Sequence, residues 1–129
     1  MRIATIIVRI LVGLILLFAS VTYFLMMMQV IPFPKQEMSE GVMKWNAGAD
    51  ATGYLMPLVK ILELICGVLF VSGFYVALAN IVILPITINV FLFHAFLGPE
   101  TIGMGAALLL GNIFLIYAYR DRYAAVLAK

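Results

Sequence analysis

The sequence predicts an all-α integral membrane protein: a four-helix bundle of antiparallel, up-and-down spans with both termini cytoplasmic. Three observations carry this expectation. Hydrophobic side chains make up 66% of the 129 residues and charged ones 11%, whereas soluble domains run at roughly half apolar and about a quarter charged. Four apolar runs over 3–31, 54–72, 75–97 and 101–119 each approach the roughly 20 residues that a bilayer-crossing helix needs. With four spans the termini share a side, and that side carries Arg2, Arg9, Arg120, Arg122 and Lys129, against Lys35 and Lys44 on the other. Positive charge marks the cytoplasmic face, so residues 1–129 are read as a single membrane domain with the 32–53 segment outside.

The first span is broken only by Arg9 and by mildly polar residues such as Ser20, Thr22 and Gln29. A secretory signal peptide is the competing reading, because Arg2, an apolar stretch and Phe18-Ala19-Ser20 have its general form. Arg9 inside the apolar segment, and hydrophobicity that continues past the would-be cleavage point, favour a retained span. Over 32–53 the composition changes to Pro32, Pro34, Lys35, Glu37, Glu40, Lys44 and Asp50 with glycines between. This is the one substantial loop, with a short interfacial helix expected over 38–43 and Trp45 at headgroup level, flanked by Phe33 and Tyr54.

The second span has Pro57 near its first turn, where a missing N–H costs little. Gly73-Phe74 leaves room only for a hairpin to the third span. Pro85 lies inside that third span, so the carbonyl of Ile81 loses its helical partner and a kink is expected. Gly98-Pro99-Glu100 marks the turn to the fourth span, and Arg120, Asp121, Arg122 and Lys129 form a charged tail. Tyr117, Tyr119 and Tyr123 mark the inner boundary.

Composition also excludes several functions. Eight basic and six acidic residues make no basic nucleic-acid surface, and the length leaves no room for a soluble catalytic domain. The single cysteine, Cys66, excludes an intrachain disulfide, a CxxC pair and a cysteine zinc site, and one histidine excludes a multi-histidine haem or metal centre. No metal site and no intrinsic cofactor are predicted. Cys66 itself reads as a small apolar residue.

The residues of interest are the polar ones that a bilayer penalises. Glu63 lies near the middle of the second span, and Lys60 stands one helical turn before it. Ionisable groups at that depth cost several kcal/mol unless paired or turned inward. Two readings are open: a Lys–Glu pair that orders the bundle, or ligand and proton chemistry at Glu63. Asn80, Thr87 and His94 recur every seven residues and so share a helix face, which should point at neighbouring helices and bring His94 toward Lys60 and Glu63. Asn89 lies off that stripe. Arg9 is within snorkelling distance of the inner headgroups, with pairing to a neighbouring helix, for example through Asn80, as the alternative. In the fourth span Gly103, Ala107 and Gly111 recur every four residues, a small-residue seam for close helix packing in this chain or with another.

The stretch Gly53-Tyr54-Leu55-Met56-Pro57-Leu58-Val59-Lys60, then Glu63 and Gly67, then Pro85-Ile86 and Asn89-Val90-Phe91-Leu92-Phe93-His94 forms a further pattern. Together with Arg9 and Gly13 and the closing Tyr119-Arg120, it resembles the DoxX family of small four-helix membrane proteins. The resemblance covers most of the chain outside 32–53. Its most specific part is a Lys-x-x-Glu-x-x-x-Gly helix followed by Asn-x-x-x-x-His. Where many such sequences have glycine and then lysine near the end of the first span, this chain has Ser20 and Tyr23, so no role of that lysine carries over. The resemblance implies a multi-pass protein of the bacterial inner (cytoplasmic) membrane. It also implies an association with quinone-linked oxidation of reduced sulfur, as in small subunits of thiosulfate:quinone oxidoreductase, or with complexes that handle thiol and oxidative stress.

The expected function is therefore a non-autonomous subunit of a quinone- or thiol-linked membrane redox system. A quinone or lipid would sit in the outer half of the bundle, with Glu63 and His94 exchanging protons or hydrogen bonds with it and Lys60 tuning the carboxylate. Electrons would come from a redox partner protein, and membrane lipids or further copies of the chain are the other expected partners. The alternative is a non-catalytic scaffold or lipid-binding protein in which the same residues hold the helices together. A transporter is disfavoured, since no inverted repeat or broken helix pair is evident.

Overall fold

A computed structural model describes residues 2–30, 40–97 and 102–128. Helix α1 spans Arg2–Met27, α2 Glu40–Thr52, α3 Leu55–Ser72, α4 Val76–Phe96 and α5 Ile102–Ala118. A 3-10 turn over Arg120–Tyr123 and a last short helix, α6, over Ala124–Leu127 follow. The described residues contain no strand. Helices α1, α3 and α4 are each long and apolar enough to cross a membrane, and α5 qualifies when joined to the segment that bends away from it by 72° at Arg120. Residues 32–39 of the expected loop, with Phe33 and Lys35, the Gly98-Pro99-Glu100 turn and Lys129 lie outside the described residues.

Local chemistry sets the helix boundaries. α1 stops before the end of the apolar run because Gln29 takes a left-handed backbone, with φ of 61°. The Val30 N–H then donates to the Leu25 carbonyl and the Gln29 N–H to the Met26 carbonyl, the two-bond closure that satisfies a helix's last acceptors. α2 continues to Thr52, well past the 38–43 segment expected from sequence, of which 38 and 39 lie outside the described residues. Glu40 in its first turn suits the positive helix end. The exposed Glu40–Lys44 pair at 3.0 Å adds little.

Thr52 joins α2 to α3. Its hydroxyl donates to the Ala49 carbonyl at 2.7 Å and accepts the Leu55 N–H at 3.0 Å, so one side chain closes one helix and opens the next. Gly53, with φ of +77°, makes the corner between them. Helix α4 runs through Pro85 without interruption of its span.

Helix α1 packs on α3, α3 on α4, α4 on α5, and α5 on α1. The shared core holds Val12, Leu16, Phe70, Ile83 and Leu115, each almost fully buried. Two kinds of contact hold it. Between α1 and α3 the backbones nearly touch: a methyl on Gly13 would stand 3.0 Å from the Gly67 carbonyl oxygen, and one on Gly67 3.1 Å from that of Gly13. Between α4 and α5 the contact is polar. The Thr87 hydroxyl donates to Asn112 Oδ1 at 2.8 Å, and Asn112 Nδ2 donates to Asn80 Oδ1 at 3.1 Å. All three residues are completely buried.

Within this chain, the expected α5 seam is used in part. Gly103 and Ala107 are exposed, and nothing among the described residues lies within 4 Å of the place a Gly103 methyl would take. Gly111 meets another helix, at Val12 of α1. The face that α5 turns inward carries Gly105, Leu108, Asn112 and Leu115 instead. Asn112 supplies the reason, because a carboxamide in a lipid-immersed helix must find partners, and α4 offers them. Beyond α5, Tyr123 folds back and its hydroxyl donates to the Ala77 carbonyl at 2.8 Å. Burial raises its phenol above the ordinary tyrosine range, so it remains a donor.

Candidate functional site: a cleft between α2, α3 and α4

Lys60 and Glu63 sit one turn apart on the same face of α3, and the face is inward. Lys60 Nζ lies 3.1 Å from Glu63 Oε2, with the lysine side chain 16% and the glutamate side chain 4% exposed. The lysine emerges in the second turn of α3, so the pair is within about 10–15 Å of the helix start. Tyr23 of α1 places its ring with the centroid 5.9 Å from Lys60 Nζ, at the reach of a cation–π contact. An ion pair this buried is stabilising only if both partners remain, since removing one leaves a charge without compensation.

The pair opens on a cleft. Two adjoining cavities, of about 230 and 260 Å3, share Trp45, Met56, Lys60, Asn89 and Val90 as walls. The first also reaches Phe93 and His94, and the second reaches Glu63, Pro85 and Ile86. Helix α2 covers this cleft. Trp45 is half-buried and meets Phe93 edge to face at 5.0 Å, and Gly41 permits the approach of Leu97. Most of the wall is apolar, with a few polar groups converging on it, which is the usual make-up of a small-molecule site.

Of the residues singled out from sequence, Lys60, Glu63, Asn89 and His94 line this cleft, and Pro85 contributes to its wall. Asn89 is exposed on α4. His94 is half-buried, sits edge to face with Phe93 at 5.3 Å, and its Cδ2 lies 3.1 Å from where a Gly105 methyl would stand. The heptad stripe thus faces α5 more than α3, and its members separate by role. Thr87 is not a wall residue: it is consumed, with Asn80, by the buried contact to Asn112. Arg9 does not meet Asn80 either, and its guanidinium packs against Gly73 at the α3–α4 turn.

Sequence reasoning missed Asn112, Tyr23 and the covering role of Trp45. A lone carboxamide within the last apolar run signals Asn112, since such a group requires a partner helix. Tyr23 carries no comparable signal. It stands over Lys60 because α1 packs on α3, a tertiary fact. Ser20, fully buried, donates to the Leu16 carbonyl of its own helix at 2.8 Å and takes no part in the cleft. Cys66 is buried with its thiol 3.8 Å from the Ala79 carbonyl, in keeping with a packing residue. Among the described residues no group of three or more His, Cys, Asp or Glu side chains gathers as metal ligands.

The arrangement can hold an uncharged or weakly polar lipophile by its apolar walls and offer its polar end an ammonium, a carboxylate, an imidazole and a carboxamide. Comparison with protein-family models, curated proteins and solved structures finds no match to this chain.

Proposed function

We propose that the chain is a DoxX-like, four-helix protein of the bacterial inner membrane, with both termini cytoplasmic and α2 on the outer face. In this reading it serves as a non-autonomous subunit of a quinone- or thiol-linked membrane redox system and holds a lipophilic molecule in the α2–α3–α4 cleft. The observation that carries the proposal is the buried Lys60–Glu63 pair opening directly on that cleft. A carboxylate at this depth is costly, so its placement beside a ligand-sized cavity rather than in a closed helix contact favours proton or hydrogen-bond chemistry. Glu63 would exchange a proton or hydrogen bond with a ring oxygen, Lys60 would tune the carboxylate through their ion pair, and His94 and Asn89 would orient the polar end. Electrons would come from a partner protein.

The test uses the chain's single tryptophan, which forms part of the cleft wall. Titrating a short-chain quinone into the purified protein should quench Trp45 emission saturably, and Glu63→Gln should weaken that binding while leaving the helical circular dichroism intact. Quenching that is linear in quinone, or equal in the variant, would refute the reading and favour a scaffold. The topology has its own check: a reporter active only outside the cytoplasm should be silent at either terminus and active when inserted at Gly48, an exposed position of α2.

A further inference from the structure

Arg9 stands about two turns into α1, and among the described residues no carboxylate pairs with it. Its guanidinium rests on Gly73, where a methyl would stand 2.9 Å from Nη1, 3.2 Å from Cζ and 3.4 Å from Nη2. Three such similar distances mean that the guanidinium lies face-on to the place a Gly73 methyl would take. A side chain at this position would displace the guanidinium and strain a backbone whose φ is +85°. Nε is buried and makes no hydrogen bond to the protein. The side chain as a whole is half-buried, so its remaining exposure belongs to other atoms. The edge formed by the two Nη groups is then the one suited to a two-point contact.

Charge accounting shows that the packing alone does not neutralise this group. The C-terminal carbonyls of α3, which end at Gly73, amount to about half an elementary negative charge. Roughly half of the guanidinium charge is left over. The surroundings point to the headgroup region: Phe74 and Tyr75, next in the turn, are 69% and 74% exposed, as aromatic side chains are at a membrane boundary. Tyr75 begins α4 without a side-chain cap, so the first N–H groups of α4 add to the positive potential supplied by Arg9.

We propose that the Arg9–Gly73 corner binds the phosphate group of an anionic phospholipid in the leaflet that holds the α3–α4 turn. The flat guanidinium supplies the charge and the fork, and the glycine supplies the seat that fixes its plane. This site is separate from the Glu63 cleft and does not depend on what occupies it.

The experiment is lipid retention by the full chain in detergent micelles, read by native mass spectrometry, with phosphatidylglycerol and phosphatidylcholine in competition and inorganic phosphate in a parallel arm. One basic side chain near an anionic headgroup contributes about 1 kcal/mol, so a preference of about fivefold for phosphatidylglycerol is expected. Arg9→Gln should abolish it. Gly73→Ala, which leaves the charge but lifts the guanidinium off its seat, should reduce it, and Arg9→Lys should retain only part because the fork is gone. No preference in the unaltered chain, or an undiminished preference in Arg9→Gln, would overturn the site. Displacement of the lipid by millimolar inorganic phosphate would overturn the lipid assignment. Should Arg9→Gln fail to fold, the Gly73→Ala and Arg9→Lys results decide, and an unchanged preference in both overturns the proposal.

Discussion

Replacing Gly13 with alanine tests the α1–α3 contact most directly. The added methyl would lie 2.8 Å from Val71 Cγ2 and 3.0 Å from both the Gly67 carbonyl oxygen and Phe70 Cβ, where ordinary contact begins at 3.4 Å. Val71 can rotate its side chain, but the Gly67 oxygen is backbone, so the helices must part by about 0.4 Å along the contact. Overpacking of this kind costs about 1–3 kcal/mol. Alanine also propagates a helix better than glycine by about 1 kcal/mol. The expected net change for Gly13→Ala is therefore a loss of about 0–2 kcal/mol. Gly103→Ala is the matched control. Among the described residues nothing lies within 4 Å of its methyl, so only a propensity gain applies, at most about 1 kcal/mol in the first turn of α5. The difference between the two variants isolates the steric part, about 1–3 kcal/mol. Equilibrium unfolding by sodium dodecyl sulfate in mixed micelles, followed by far-ultraviolet circular dichroism, measures it. Gly13→Ala at least as stable as Gly103→Ala would refute the close approach of α1 and α3.

Two further outcomes follow from the core. Asn112→Leu should lower stability by about 1–3 kcal/mol in the same assay, because it leaves Thr87 and Asn80 buried without their partner; a neutral result would mean that the three side chains are not hydrogen-bonded in the membrane. Cys66, only 2% exposed, should resist a membrane-permeant maleimide until the protein is unfolded, and rapid labelling of the native chain would contradict the packing of α3 against α4.

Helix positions were legible because they depend on length and hydropathy, which are properties of each segment alone. The start of α3 just after Tyr54 and its end at Ser72 fall where Pro57 and Gly73 suggest. The inward placement of Lys60 and Glu63 was legible for the same reason, since their cost in lipid depends on depth. Contacts between segments were not. Gly103, Ala107 and Gly111 form a regular small-residue row, yet the buried face of α5 is chosen by Asn112. Repeating small residues permit close packing, whereas an unsatisfied carboxamide demands a partner, and the demand decides the rotation. The extent of α2 was obscured by its alanines and glycines, which give no apolar period to read. Its position over the cleft rests on Trp45 meeting Phe93, a pairing between distant segments.

The contrast between the two helix contacts bears on how such a chain can change over evolutionary time. At Gly13 and Gly67 a side chain would meet Val71 or Leu17 first, and behind those movable groups the other helix's backbone oxygen. No substitution at the facing position removes a backbone atom, so neither glycine can be released by a change in its partner. Both sites should favour small residues, glycine above all, and should covary little. Asn80, Thr87 and Asn112 meet through side chains, so a lost donor on one helix can be restored by a new one on the other. Relatives of this chain should therefore keep the two glycines and exchange the polar trio in concert, so that α1 and α3 form the fixed half of the molecule while the α4–α5 pairing is free to be rewritten.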